Sequence, residues 1–100
     1  MRLLASTLAL ALTVAGASSA ATTRVSDAQY LQLARCAGLV EGSGADASAI
    51  EATLRDNRSR REDYIRARAR SNRTDAAADF RRASGAERER LEAEKAACAA

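Results

Sequence analysis

Apolar residues recur every three or four positions after residue 25, which is the spacing of one face of an α-helix. The members of this stripe are Tyr30, Leu33, Ala37 and Val40. Ser26 precedes the stripe as a preferred N-cap, and Gln29 follows three residues later as its capping-box partner. Gly42 can adopt the left-handed conformation that ends many helices. The pattern therefore predicts a first helix over about residues 27–41.

Two further helices are predicted, over about residues 47–71 and 75–98. Asp46 or Ser48 can begin the second helix, and Glu51 is placed to complete a capping box with Ser48. The polar run at residues 71–74 predicts the turn between the two helices, with Thr74 as the next N-cap.

Each of these two helices contains one weak point, at residues 57–61 and at residues 84–87, where a break is the alternative. Arg58, Glu62 and Arg66 are spaced four apart, which favours continuity at the first point because such residues are neighbours on a helix. At the second point Ser84 and Glu87 offer a capping box that favours a break, but Gly85 costs only about 1 kcal/mol relative to alanine inside a helix. We therefore expect both helices to be continuous.

β-branched and aromatic residues are scarce and never alternate, and proline is absent, so no strand is predicted. The expected fold class is all-α, a small three-helix up-down-up arrangement over residues 26–100, preceded by a short lead at residues 21–25. Beyond residue 20 the chain has only ten Leu, Ile, Val and Phe residues. Such a small apolar core needs additional stabilisation.

The first twenty residues have the three-part pattern of a secretory signal peptide. Arg2 supplies a basic start, Leu3–Ala17 carry no charge, and Ser18 and Ala20 are the small residues that signal peptidase requires. Fifteen residues of helix span only about 22 Å, too short for a hydrocarbon core of about 30 Å. We expect cleavage near Ala20. An Arg to Lys ratio of 15 to 1 favours a bacterial source, and therefore a periplasmic or secreted protein.

Cys36 and Cys98 are the only cysteines, and in an exported chain they predict one disulfide. A redox pair would normally be close in sequence, and a metal site would lack half of its ligands because the chain has no histidine. An intermolecular bridge is the remaining alternative. In an up-down-up arrangement, helices of 25 and 24 residues return Cys98 to the level of Cys36.

The general plan is similar to that of small disulfide-linked helical proteins of bacterial envelopes, including acid-stress chaperones. That resemblance implies a structural or protein-interaction role related to envelope stress. No family motif is shared, so no residue role is carried over.

Arginines concentrate in residues 55–82, which contain ten arginines and five acidic residues. The possible band for an anionic partner consists of Arg58, Arg60, Arg61, Arg66, Arg68, Arg70 and Arg73. Such a band is typical of surfaces that meet an anionic membrane or ligand. Because acidic residues are interleaved, the sequence favours an ordinary solvated face with local ion pairs, such as Glu51–Arg55, Asp56–Arg60 and Glu62–Arg66. Tyr64 is the one aromatic residue there, and export also argues against nucleic acid.

Leu31 and Leu39 lie about 100° and 180° from Tyr30 on the first helix, away from its predicted core face. Exposed leucines on a short helix indicate an interaction surface for a protein partner or for a homo-oligomer.

No catalytic site is expected, because the chain has no histidine and both cysteines are assigned to the disulfide. No cofactor, metal or small-molecule substrate is indicated. We therefore expect a non-enzymatic exported helical protein with a structural or protein-interaction role. The alternative is a protein that binds anionic envelope surfaces or ligands through the arginine band.

Overall fold

Four α-helices form the part of the chain that the computed structural model describes, residues 24–98. They are α1 Asp27–Gly42, α2 Ser48–Arg58, α3 Asp63–Arg82 and α4 Gly85–Cys98. No residue in the range 24–98 belongs to a strand, so the all-α prediction is confirmed. The expected signal peptide at residues 1–20 and most of the lead at residues 21–25 lie outside the described residues.

The helices are interrupted at residues 59–62 and 83–84, which overlap the two stretches where the sequence favours continuity. In contrast, α3 runs without interruption through residues 71–74. The expected three-helix arrangement is therefore replaced by one of four helices. Continuation of α3 keeps Ala69 and Phe80, both buried, on one helix against α1. Burial of that face outweighs the N-cap preference of Thr74, because tertiary packing contributes more than capping.

The two unexpected breaks have different causes. Asn57 is fully buried at the end of α2, where its side chain donates to the Thr53 carbonyl and accepts from the Val25 amide. The bond from Val25 fastens the end of α2 to the segment before α1. The second break is at Gly85, whose φ of 58° lies in the left-handed region that glycine adopts without steric cost.

Helices α1 and α3 run parallel and are separated by almost no side-chain volume. A Cβ atom on Gly38 would lie 2.9 Å from the Cβ of Ala76 and would clash with the Arg73 carbonyl. A Cβ on Gly42 would lie 2.9 Å from the Cβ of Phe80. Gly42 is therefore a packing residue within α1, and the expectation that it ends the helix in a left-handed conformation is wrong. In the segment between α1 and α2, the glycine with positive φ is Gly44, at 85°.

Helices α2 and α4 both run antiparallel to α1, which contacts all three other helices. The end of α2 lies beside the start of α1, where Arg61 in the following turn pairs with Asp27 at 2.7 Å. Helix α4 descends along α1 so that the guanidinium of Arg35 binds the carboxylate of Glu94, with one N–O distance of 3.0 Å. The fold is thus up-down-up-down around α1.

Two apolar clusters form the core. The first joins α1, α2 and α3 through Tyr30, Ala34, Ala37, Ala47, Leu54, Ile65 and Ala69. The second joins α1, α3 and α4 through Leu39, Ala76, Phe80 and Leu91. Alanine supplies about half of the buried positions, so the helices approach closely while each side chain buries little area.

The sulfur atoms of Cys36 and Cys98 are 2.11 Å apart, the distance of a disulfide bond, and their Cα atoms are 5.9 Å apart. The predicted pairing is confirmed, although the route differs from the expected one. Cys98 reaches Cys36 on the descending helix α4 rather than at the top of an ascending third helix. Among residues 24–98, no helix combines the length and apolar character needed to cross a membrane.

Candidate functional site

A cleft of about 380 Å³ lies between α1, α2 and α3. Its lining residues are Tyr30, Ala34, Leu54, Arg58, Arg66, Ala69, Arg70 and Arg73, which we call the arginine cleft. The four apolar members are buried, and the four arginines come from α2 and α3. The cleft exists because two of its wall residues are alanines, whose methyl groups leave space between helices that longer side chains would fill. Its volume falls in the range of ligand-binding cavities.

Arg73 holds one wall of the cleft by joining three helices. Its guanidinium donates to both carboxylate oxygens of Glu41 on α1, with an Nε–Oε1 distance of 3.0 Å, and to the carboxylate of Glu51 on α2. The hydrogen bond from Arg73 lowers the pKa of Glu41, and the same bond raises the pKa of Arg73. The Glu41 carboxylate therefore stays ionised, and Arg73 is fixed in place by its bonds to α1 and α2.

Arg58 and Arg66 form the end of the cleft near the α2–α3 turn. Arg58 pairs with Glu51 at 3.4 Å, and Arg66 pairs with Asp63. The same Arg66 guanidinium donates to the carbonyls of Arg58, at 3.3 Å, and Arg61. The Arg58 carbonyl belongs to the last turn of α2 and the Arg61 carbonyl to the segment that follows, so neither has an amide partner within α2. Arg66 therefore closes the turn as well as lining the cleft.

Arg70 is exposed, and no ion pair or hydrogen bond joins its guanidinium to another described residue. The cleft thus has four arginines, and three carboxylates pair with them: Glu41, Glu51 and Asp63. The local balance is one net positive charge, and Arg70 is the member that carries it. The cleft can therefore accept an anion without breaking the contacts that hold its walls.

The other three arginines of the predicted band do not line the cleft. Arg61 is a structural residue, because its side chain is only 8% exposed and donates to the Val25 carbonyl at 2.9 Å and to Asp27. Its guanidinium carbon also lies 5.5 Å from the centre of the Tyr30 ring. Arg60 is exposed and donates to the Asp56 carbonyl at 3.2 Å. Arg68 is exposed on another face of α3.

The ion pairs also differ from the local pairs that the sequence predicts. Glu51 pairs with Arg58 and with Arg73, 22 residues away, rather than with Arg55. The expected capping role of Glu51 is wrong for the same reason. Asp46 serves that end of α2 instead, accepting from the Ser48 amide at 2.9 Å and hydroxyl at 2.8 Å. The hydroxyl bond holds the pKa of Asp46 below its usual value.

Leu31 and Leu39, which the sequence places on an exposed interaction surface, are both at least partly buried. Leu39 is 0% exposed, because α4 covers that side of α1 and packs Leu91 into the same cluster. Leu31 is half-buried against the first apolar cluster. The helical periodicity predicts one buried face for α1 and places Leu39 opposite it. In the structure α1 has a second buried face, because α4 packs against the side that carries Leu39.

The structure adds cleft residues that the sequence did not assign to a site. Tyr30 and Leu54 are members of the predicted apolar stripes, but nothing local shows that they border a cavity. One pattern in the sequence could have indicated the position of the cleft. Small residues occupy every fourth position of α1 at Ala34, Gly38 and Gly42. That spacing marks the face where α3 approaches closely and therefore which helix forms the opposite wall.

The chemistry that the cleft offers is hydrogen-bond donation and positive charge. Among the described residues, every carboxylate with a perturbed pKa is shifted downward by hydrogen bonds, mostly from arginines, as with Glu94 beside Arg35. In residues 24–98 no group of three or more potential metal ligands of the Cys, Asp or Glu type occurs. Comparison with known proteins found no matching family, no similar curated protein and no similar solved structure.

Proposed function

We propose that this chain is a non-enzymatic, exported protein of the bacterial envelope with a structural or protein-interaction role. In this proposal it performs that role by binding anionic groups through the arginine cleft. The observation that carries the proposal is the cleft itself, in which four arginines surround one opening and three carboxylates leave a net positive charge.

Two features support an anionic partner rather than a neutral one. Guanidinium groups present planar sets of N–H donors that suit carboxylate and phosphate oxygens. Arg70 has its donors available at the rim, where attraction to a unit charge at 4 Å amounts to about 1 kcal/mol in water-like surroundings and about 4 kcal/mol near a protein surface. The partner would therefore bind in a manner that weakens with added salt.

The non-enzymatic part of the proposal rests on protonation states. A general acid or base needs a pKa near the working pH. The perturbed carboxylates of the described chain are held ionised instead, and histidine is absent from the sequence. The sulfur atoms of the two cysteines are 2.11 Å apart in a disulfide bond, so neither is a free thiol nucleophile. The export part rests on the uncharged run Leu3–Ala17 and on a disulfide that suits an oxidising compartment.

Vesicle binding tests the proposed function. The purified, disulfide-bonded protein should be retained on phosphatidylglycerol vesicles, less on phosphatidylcholine vesicles, and progressively less as salt rises. Arg70→Gln should lower retention, whereas Arg68→Gln should not, although both variants remove one charge from the same helix. Equal retention on both vesicle types would contradict an anionic partner, and equal losses from the two variants would show general charge attraction without the cleft.

Export has its own test. Expression of residues 1–100 in a bacterial host should yield a periplasmic protein whose intact mass corresponds to a start near Ala21 or Thr22. A full-length chain in the cytoplasm would contradict the signal peptide and leave the cleft proposal to the vesicle experiment.

A further inference from the structure

The arginine cleft combines two chemistries that a simple anion would not use together. Its rim carries guanidinium groups, and its inner surface is formed by Tyr30, Ala34, Leu54 and Ala69. A compact inorganic anion would meet the rim and make no contact with this inner surface, whose residues are 1–5% exposed. A ligand with an apolar part joined to its charge would use both surfaces, because burial of each methylene group improves binding about fourfold.

Charge balance limits the ligand to one negative charge. Four arginines line the cleft, while Glu41, Glu51 and Asp63 already pair with three of them. A single anionic group would neutralise the remaining charge at Arg70. A dianion would exceed it and would have to displace Glu51 from Arg58, where the N–O distance is 3.4 Å.

Cavity size limits the apolar part. A volume of about 380 Å³ corresponds to the liquid volume of about a dozen water molecules. A body of up to about a dozen carbon atoms would fit this space, whereas a complete diacyl lipid would not enter. The ligand could be a free carboxylate of this length, or the charged group and first carbons of a membrane lipid.

We infer that the arginine cleft holds one amphipathic monoanion, a carboxylate or phosphodiester whose charge faces Arg70 and whose apolar body lies against Tyr30 and Leu54. This inference rests on the proposed function, because it specifies the anion that the same cleft binds. Arg66 and Arg73 are positioning residues, since their pairs with Asp63 and Glu41 keep the walls apart in a fixed geometry.

Octanoate is the probe. Acetate, which has the carboxylate without the long chain, and octanol, which has the chain without the charge, are the controls. In titrations followed by amide NMR, octanoate should saturate a single site and shift the amides of Tyr30, Leu54 and Ala69. Its affinity should exceed that of acetate by at least tenfold, the effect of burying two methylene groups, and octanol, which lacks the charge, should bind about fivefold more weakly than octanoate.

Arg70→Gln should weaken octanoate binding about fivefold, the change expected for a partly exposed charge pair, while Arg68→Gln leaves it unchanged. Melting curves that coincide for the two variants would show that both are folded. Release of vesicle-bound protein by octanoate would show that lipid and free carboxylate share the cleft, and independent binding would identify the free carboxylate as the ligand.

Two results would overturn the inference in different ways. If acetate bound as tightly as octanoate while vesicle retention remained, the apolar wall would have no role, but the proposed anion binding would stand. If neither octanoate nor anionic vesicles bound, the inference and the proposed function would both fail.

Discussion

Replacing Cys98 by serine should release α4 from the rest of the protein before the other helices unfold. The substitution removes the covalent link to Cys36 and changes neither the charge nor the length of a helix. Loss of a crosslink between residues 62 apart should lower the free energy of unfolding by about 4 kcal/mol in the chain-entropy account. For a domain of this size that corresponds to a fall of about 20 °C in the melting temperature.

The noncovalent contacts of α4 are too few to replace the disulfide. Leu91 is its one fully buried residue, and burial of such a side chain contributes about 2 kcal/mol. The Arg35–Glu94 pair has side chains that are 30% and 26% exposed, so it contributes at most about 1 kcal/mol. A separate helix of 14 residues is marginal in water. Loss of α4 should then uncover Leu39 and Phe80.

Circular dichroism and hydrogen exchange together distinguish loss of α4 from general unfolding. The oxidised protein should melt in one sharp transition. Cys98→Ser should begin with less helix, by about the share of the described helical residues that α4 holds, roughly a quarter. Its α4 amides should exchange fast, while the amides of Ala37 and Ala76 remain protected.

The control is the double variant Cys36→Ser/Cys98→Ser, which should melt like the single variant and should not respond to a reducing agent. Identical melts of the wild-type protein with and without reductant would refute the reasoning, because they would mean that α4 is held by its noncovalent contacts alone. Fast exchange throughout all four helices of Cys98→Ser would refute the narrower claim that α1, α2 and α3 stay assembled.

Three further predictions concern packing and charge. Gly38→Ala should destabilise the protein by about 1–3 kcal/mol in urea unfolding, despite the better helix propensity of alanine, because its Cβ would force α1 away from Ala76; an unchanged midpoint would contradict the close approach. Leu39→Ser should cost about 3 kcal/mol or more and Leu31→Ser much less, since Leu39 is 0% exposed; equal costs would show that Leu39 is not in the core. Acidification should destabilise the protein, because hydrogen bonds from arginines lower the pKa values of Glu41 and Glu94 in the folded state. The stability that these pairs provide is fully present above the unfolded-state pKa near 4.5. It is lost as the pH falls through the lower pKa values of the folded state. Arg73→Gln should reduce the change in urea midpoint between pH 5 and pH 3, and an unchanged pH dependence would exclude the Arg73–Glu41 pair as its source.

Features that depend only on residues close together in the chain were predictable from the sequence. Ser26 and Gln29 form the expected capping box, with the Gln29 amide 3.1 Å from the Ser26 hydroxyl oxygen and the Ser26 amide 2.8 Å from the Gln29 side-chain oxygen. Both groups belong to one helical turn, so their spacing in the chain determines their spacing in the structure. The all-α class follows in the same way from helix propensity summed over many positions.

The cleft could not be predicted in this way, because it depends on contacts between residues distant in the chain. Arg73 binds Glu41, 32 residues away, and nothing at either position indicates the other. The sequence also did not distinguish Arg70 from Arg61. The Arg70 guanidinium remains available at the rim, whereas the Arg61 guanidinium donates hydrogen bonds to Asp27 and the Val25 carbonyl. Arginine content indicated a basic region but not which members remain available to a partner.

By itself, the sequence determined that the described chain is helical and where α1 begins, because propensity and capping need no knowledge of distant residues. The count of two cysteines predicted a disulfide, and the structure showed that it joins Cys36 to Cys98 within one chain. Only the tertiary structure decided that α3 continues through residues 71–74 and that α4 covers Leu39. The physical reason is that the continuation of α3 and the burial of Leu39 depend on the area that the packed helices cover. That area is set by the close packing of α1 against α3 and by the descent of α4 to Cys36, two contacts that exist only when the chain is folded.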